Sequence, residues 1–250
     1  MIGVILAAGM AKRLRPLTDA KPKCLLEVGG KTLLQRTVDA MTQTGICEFV
    51  VVTGYKAPMI QEFLSQHYLG QSTPLSATPS FHFIDNPDYE HNNNIYSLWL
   101  AGQIVRGKDF LLMDSDILCD AAAVAAVASQ DGSALALNRH ELGEEEMKVV
   151  VDENMNITEI SKACSPLKAL GESVGIEKIT ACYSEALFQE LDKMIEQEGL
   201  IDIFYEQAFE RLIAQGHTFT VIDTTRFFSY ELDTPEDYEQ AIRFIPQELL

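Results

Sequence analysis

Small residues and cations cluster near the start of the chain. Leu6-Ala7-Ala8-Gly9 runs into Met10-Ala11-Lys12-Arg13-Leu14-Arg15-Pro16-Leu17-Thr18, and Lys21-Pro22-Lys23-Cys24-Leu25-Leu26 follows. Small residues just past a strand let backbone amides approach a triphosphate, while Arg13 and Lys23 offer fixed and mobile positive charge. In nucleotidyl transfer such charge stabilises the pentavalent centre and the departing pyrophosphate. A glycine turn beside solvated basic residues would explain an isolated Ala-Ala-Gly, but it leaves the rest of the block unexplained. Carboxylates appear in two further places. Asp114-Ser115-Asp116 ends an apolar run, either as a simple turn or as a Mg²⁺ site, since that ion takes carboxylate and phosphate oxygens together. In Tyr230-Glu231-Leu232-Asp233, an extended backbone points Glu231 and Asp233 the same way, suited to completing a metal site opposite Asp116. Glu236 and Asp237 have a simpler role as favourable charges in the first turn of a helix.

These groups act together only if strand ends deliver them to one place. Residues 2–6 are a short apolar run opening into Ala7-Ala8-Gly9, and residues 48–53, 81–84 and 110–113 are further strand candidates. Helices are expected after Lys31, where Leu34, Val38 and Met41 share a face, and over about residues 58–67. This alternation implies an α/β fold with a Rossmann-like mixed, mainly parallel sheet flanked by helices, and ligands beyond the carboxyl ends of its strands. The second half reads as a hairpin of residues 148–151 and 157–160 around Asp152–Asn156, a strand over 174–179 and a late strand over 218–222. Helical faces follow at Leu187, Leu191, Met194 and Ile195, and at Tyr205, Ala208, Phe209 and Leu212. A final helix is expected from Thr234 as cap, with Pro235 in its first turn. Residues 1–250 are read as one domain, with 1–135 as the nucleotide-binding half and 136–250 as the acceptor-binding and metal-completing half. Gly70–Ser80 and Glu141–Glu146 are expected as surface loops.

With 250 residues, 47% of them hydrophobic, the chain can bury a sizeable core. A net charge of −18 argues against a nucleic-acid surface, which needs a basic face. A free nucleotide needs only a few local cations and a metal. No apolar run reaches membrane-spanning length and no basic n-region precedes residues 1–8, so the expectation is a cytoplasmic protein without a membrane partner. Five scattered cysteines without a Cys-x-x-Cys pair suggest reduced thiols rather than disulfides or a thiolate zinc site.

The Leu6–Thr18 block with its later Pro22-Lys23 resembles the N-terminal signature of the NTP-transferase superfamily, the sugar-1-phosphate nucleotidyltransferases and their relatives. One departure is Ala11, which stands where that signature has its second glycine. The resemblance implies that Arg13 and Lys23 are the catalytic cations, that Leu6, Ala7, Ala8 and Gly9 contact the nucleotide, and that Asp116 ligates Mg²⁺ directly. It also implies that Asp114 supports that ligand, and Asp114 and Asn86 are expected to contact the nucleotide. Glu231 occupies a position where the superfamily usually has aspartate, which leaves open whether Glu231 or Asp233 binds the metal more directly.

The stretch from Asn86 to Leu100, with Asn93-Asn94-Ile95-Tyr96-Ser97-Leu98-Trp99, is similar to a segment of bacterial phosphocholine cytidylyltransferases, as are Glu231-Leu232-Asp233 and Ile201–Glu206. This implies CTP as donor and a small phosphorylated or phosphonylated acceptor of the amino-alcohol phosphate type, with pyrophosphate released. An ammonium acceptor needs aromatic faces and a carboxylate. Tyr89, Tyr96, Trp99, Tyr205, Asp202 and Glu206 are the candidates, although Tyr96, Trp99 and Tyr205 could equally pack a core and Asp202 could cap a helix. Asn94 and its neighbours could hydrogen-bond the cytosine or the acceptor phosphate, or form a turn. Lys148 could meet that phosphate or lie in solvent on an edge strand. An acceptor phosphate is already anionic, so direct in-line attack on the α-phosphorus needs no general base. A sugar-1-phosphate nucleotidyltransferase shares every core motif and is the nearest rival; a non-catalytic nucleotide-binding regulator is another.

Overall fold

Strand ends converge in the fold as the alternation implies. A computed structural model describes residues 1–69 and 78–250; most of the expected Gly70–Ser80 loop lies outside the described residues. Nine strands form one mixed sheet: β1 (Ile2–Ala7), β2 (Glu48–Thr53), β3 (Ser80–Asp85), β4 (Phe110–Asp114), β5 (Ala134–Asn138), β6 (Lys148–Val151), β7 (Ile157–Ser161), β8 (Gly171–Ile179) and β9 (Thr220–Asp223). The path runs β7-β6-β8-β4-β1-β2-β3, with β5 pairing β8 and β9. β1 pairs in parallel with β2 and β4, and β2 with β3. β8 is antiparallel to β4, β5 and β6, and β7 to β6, so β7 and β8 alone run against the rest of the sheet.

The central strands are apolar on both faces because both faces are covered. Along β1, Ile2, Val4 and Leu6 enter one buried cluster while Ile5 and Ala7 enter the other; β2 divides Val50 and Val52 from Phe49 and Val51 in the same way. The covering helices are α1 (Leu33–Gln43), α2 (Ala57–Leu64), α3 (Asn94–Val105), α4 (Ala121–Ala128), α5 (Ala181–Asp192), α6 (Glu206–Ala214) and α7 (Pro235–Phe244). α1 begins where the Thr32 side chain accepts a bond from the Gln35 amide at 3.0 Å, and it buries Leu34, Val38 and Met41. α7 begins with a reciprocal capping box between Thr234 and Asp237.

Local pairing outside the sheet matters more for the site. Ile117–Cys119 pairs antiparallel with Ser229–Glu231, setting Glu231 opposite Ile117. The late carboxylates are thereby brought beside the end of β4. No helix among the described residues is long and apolar enough to cross a membrane.

Candidate active site

Beyond the carboxyl ends of β1 and β4 lies a cleft of about 970 Å³. Register places Leu6 opposite Asp114, so the Ala7–Gly9 turn and Asp114–Asp116 leave the sheet side by side. Leu6, Ala7, Ala8, Gly9, Arg13, Lys23, Asn86, Asp114 and Asp116 all line the cleft. A Cβ built on Gly9 meets no atom within 4 Å; nothing in the fold fills the space beside this backbone. Ala11, which replaces the signature glycine, adopts a left-handed φ of 45°. Glycine enters that region without steric cost and alanine does not. The turn therefore keeps the backbone path of a glycine loop, held by the Leu14 amide and the Thr18 hydroxyl, which both donate to the Ala11 carbonyl.

Lys23 is the centre of the charged part of the site. Its Nζ lies 2.9 Å from Asp116 Oδ2 and 2.9 Å from Asp233 Oδ1, and Arg13 Nη2 reaches Asp233 Oδ2 at 2.5 Å. Burial opposes the charge on Lys23, but Asp116 and Asp233 outweigh it and hold the pKa above its ordinary value. Burial likewise works against the Asp233 carboxylate, yet Lys23 and Arg13 keep its pKa below the usual range. Asp116, Glu231 and Asp233 each present an oxygen within 4.8 Å of the others. Such a set of hard oxygen donors fits a Mg²⁺-sized cation that also takes phosphate oxygens. Burial of the Glu231 carboxyl, with like charges on Asp116 and Asp233, raises its pKa to about 8, although the residue as a whole stays exposed.

Asp114 turns away from this triad into a buried network. The Tyr205 hydroxyl donates to Asp114 Oδ2 at 3.2 Å and lies 3.4 Å from both carboxyl oxygens of Glu177. Burial first, and Asp114 second, push the Glu177 pKa well above the carboxylate range. Gly175, at a φ of 75°, makes this proximity possible: a Cβ there would stand 3.0 Å from Asp114 Oδ2. Removing the bridging hydroxyl in Tyr205→Phe leaves buried acceptors unpaired, and the expected loss of about 1–3 kcal/mol is measurable as a lower urea midpoint at pH 7.

The acceptor-side expectations fare unevenly. Of Asn94, Tyr96, Trp99, Lys148, Asp202 and Tyr205, only Asn94 lines the cleft, and its Oδ1 accepts from the Tyr205 amide at 3.0 Å. Tyr96 and Trp99 sit on α3 with rings 5.3 Å apart, packed on the core, and Trp99 Nε1 donates to Asp192 at the end of α5. Tyr205 is fully buried and Asp202 is exposed away from the cleft. Lys148 needs the clearest correction. It is 1% exposed, and its ammonium donates to the carbonyls of Glu144, Glu146 and Lys162. Three neutral acceptors satisfy all its donors, so it anchors the acidic 144–146 loop instead of facing an acceptor. Asn86 lines the cleft but is likewise used up: its amide donates to Asn92 and Ser97, and its oxygen accepts from Asn92 and the Asp88 amide.

Sequence reasoning missed Lys162 and Phe204, and placed Glu206 only in a longer set of candidates. All three line the cleft, with the Lys162 ammonium 4.8 Å from the Phe204 ring centre. Lys162 directly follows β7, so its position at a strand end was the available signal. His140 Nε2 and Glu172 Oε2 form a hydrogen-bonded pair at 2.8 Å across the same rim.

A mainly parallel sheet whose strand ends present a small-residue turn, two cations and a carboxylate triad defines a nucleotidyltransferase. The sequence model of the nucleotidyl transferase family matches residues 2–142, more than half of the chain, and the protein belongs to that family. It is 26% identical over 255 residues to CMP-5'-(3-aminopropyl)phosphonate synthase of Streptomyces rubellomurinus, covering 97% of this chain and 38% of that protein. It is also 26% identical to the bifunctional IPC transferase and DIPP synthase of Aquifex aeolicus, covering 97% of this chain and 51% of the relative. The chain thus spans about half or less of the length of these two relatives. Among solved structures, the CTP:phosphocholine cytidylyltransferase of Streptococcus pneumoniae superposes with a TM-score of 0.80 at 20% identity, covering 98% of this chain and 99% of the other. At that identity the likeness establishes the fold.

Proposed function

We propose that the protein is a cytidylyltransferase that moves CMP from CTP to a small phosphorylated or phosphonylated acceptor of the amino-alcohol phosphate type, releasing pyrophosphate. The observation that carries this reading is the polarity of the cleft: Arg13 and Lys23 meet Asp116 and Asp233 beside the Ala7–Gly9 turn, while Glu206, Glu172, Lys162 and Phe204 line the cleft with them. Two relatives reported above are named for CMP or CTP chemistry on phosphonate or phosphocholine acceptors, which supports CTP as donor.

In this reading the Leu6–Gly9 backbone admits the triphosphate, and Arg13 and Lys23 neutralise charge on the departing pyrophosphate. Lys162 takes the part first considered for Lys148 and meets the acceptor phosphate, because it lines the cleft beside Phe204. Asp116, Glu231 and Asp233 would hold Mg²⁺, which when bound supplies charge neutralisation to the phosphate oxygens. The acceptor attacks as an anion, so no side chain is assigned as a general base.

A pyrophosphate-release assay with CTP, UTP, dTTP and GTP against phosphocholine, phosphoethanolamine, aminoethylphosphonate and hexose 1-phosphates tests the proposal. Turnover with CTP and an amino-alcohol phosphate or phosphonate is expected; preference for a hexose 1-phosphate with another NTP would replace it by the sugar reading. Metal binding gives a separate expectation. Burial and the like charges on Asp116 and Asp233 push the Glu231 pKa up to about 8, and the carboxyl must lose its proton to act as a ligand. Mg²⁺ affinity should therefore rise with pH up to about 8 and level above it, with a proton released on binding at pH 7. Calorimetric titration in buffers of different ionisation enthalpy measures this, and Glu231→Gln should flatten the profile.

A further inference from the structure

The acceptor end of the cleft contains a carboxylate with an unmet bond. Glu206 lines the cleft in the first turn of α6, is 7% exposed, and its Oε2 has no hydrogen-bond partner. A buried oxygen of this kind is costly unless something donates to it. Its surroundings are acidic: both Asp114 and Glu177 are close enough for Glu206 to push their pKa values upward. Among the described residues, Lys162 is the one cation whose charge acts on Glu206, and that ammonium already covers the Phe204 ring at 4.8 Å and pairs with Glu145 at 3.6 Å.

Aromatic surface is scarce at the same place. A trimethylammonium group cannot donate a hydrogen bond and is held by aromatic faces. Of the aromatic residues lining the cleft, Tyr89 packs edge-on against Tyr55 with ring centres 6.2 Å apart. Tyr230 adjoins the metal-binding carboxylates and directs its hydroxyl to Asp237 and Gln240. Phe204 has a cation on it already. Tyr96, Trp99 and Tyr205, which could have made a cage, are turned into the core.

We infer that the acceptor carries a hydrogen-bond-donating ammonium group, as in an aminoalkyl phosphate or phosphonate, and that Glu206 is the specificity-determining residue that receives it. The inference rests on the reading of the cleft as a cytidylyltransferase acceptor site and narrows it. A primary ammonium donates to the Glu206 carboxylate and offsets its charge together; a quaternary ammonium supplies charge without a donor, and a sugar hydroxyl supplies a donor without charge. Burial pushes the Glu206 pKa up to about 7, and a bound cation would bring it back down.

The test compares aminoethyl phosphate, its N-trimethylated counterpart phosphocholine and glucose 1-phosphate, with wild type and Glu206→Gln. Wild type should bind aminoethyl phosphate at least tenfold more tightly than phosphocholine in calorimetry, and use it with at least tenfold higher kcat/KM. Glu206→Gln should lose at least tenfold in aminoethyl phosphate affinity, chiefly through KM, and its preference over phosphocholine should collapse. The variant should melt no lower than wild type, because the amide removes a buried charge. Equal or tighter wild-type binding of phosphocholine or glucose 1-phosphate overturns the inference, as does an unchanged preference in Glu206→Gln. Glu206-dependent binding of the amine without CTP turnover upholds the inference while refuting the proposed reaction.

Discussion

Lys23→Ala is expected to lower kcat/KM for pyrophosphate release by on the order of 10³-fold, at the upper end of what a single oxyanion-stabilising donor supplies. The side chain is nearly buried, and its ammonium stands 2.9 Å from each of two carboxylates. Among the described residues, Lys12, Arg13 and Lys162 also line the cleft, but Arg13 is bound to Asp233 Oδ2, Lys162 lies on the acceptor side in the proposed reading, and Lys12 makes no ion pair with the carboxylate triad. Truncation also leaves Asp116, Glu231 and Asp233 close together with Arg13, on Asp233, as their remaining counter-charge. A stability penalty should accompany the kinetic one, and its pH dependence has a definite sign. The Lys23 pKa is raised in the folded protein, so its contribution is fully present below the unfolded value and is lost only as pH rises through the folded one. The Asp233 pKa is depressed, so its contribution is present above the unfolded value and disappears as pH falls through the folded one. The melting difference between wild type and variant should thus be full at pH 7 and shrink below about pH 4. Circular dichroism separates the two effects by showing whether the variant is folded at the assay temperature. A folded variant with turnover within tenfold of wild type would remove Lys23 from the chemistry.

Strand ends were legible because burial on both faces writes an unbroken apolar run, and the residue that breaks the run is the one that leaves the sheet. The stretch over residues 49–52 is such a run, and Asp114 closes the strand after the run over residues 110–113. The carboxylate pair at Glu231 and Asp233 was legible from period-two alternation. What stayed hidden was the pairing of Ser229–Glu231 with Ile117–Cys119, a contact between distant segments that no local pattern encodes. The aromatic candidates failed for a different reason. Trp99 and Tyr96 have the amphipathic character of cage residues, but on α3 the same helical spacing that buries Ile95, Leu98 and Ala101 turns these rings onto the core and sends the indole N–H to Asp192. Composition cannot separate a tryptophan that greets a ligand from one that clamps two helices. Lys148 shows the same ambiguity for charge: an edge position suggested solvent, whereas three backbone carbonyls of nearby loops converge on its ammonium.

Asp233→Asn is the second substitution with a large expected effect, again on the order of 10³-fold in kcat/KM. Asp233 is the residue shared by both cations and by the carboxylate triad, accepting from Lys23 and Arg13 through different oxygens. Its place is fixed independently of those bonds, since its backbone amide and that of Thr234 donate to Asp237 Oδ2 within the cap of α7. Asparagine therefore keeps the turn and the shape while removing the charge. Arg13, which is well exposed, should lose its fixed position, and Lys23 should keep only Asp116 as a counter-ion. Mg²⁺ affinity should fall with the loss of one anionic donor. Thr234→Ala provides the contrast: it weakens the cap by about 1 kcal/mol but leaves all three carboxylates in the cleft, so its turnover should stay within about tenfold of wild type. Mg²⁺ titration and steady-state kinetics on the two variants separate charge from position. Equal losses in both would mean that Asp233 serves the helix cap rather than the reaction.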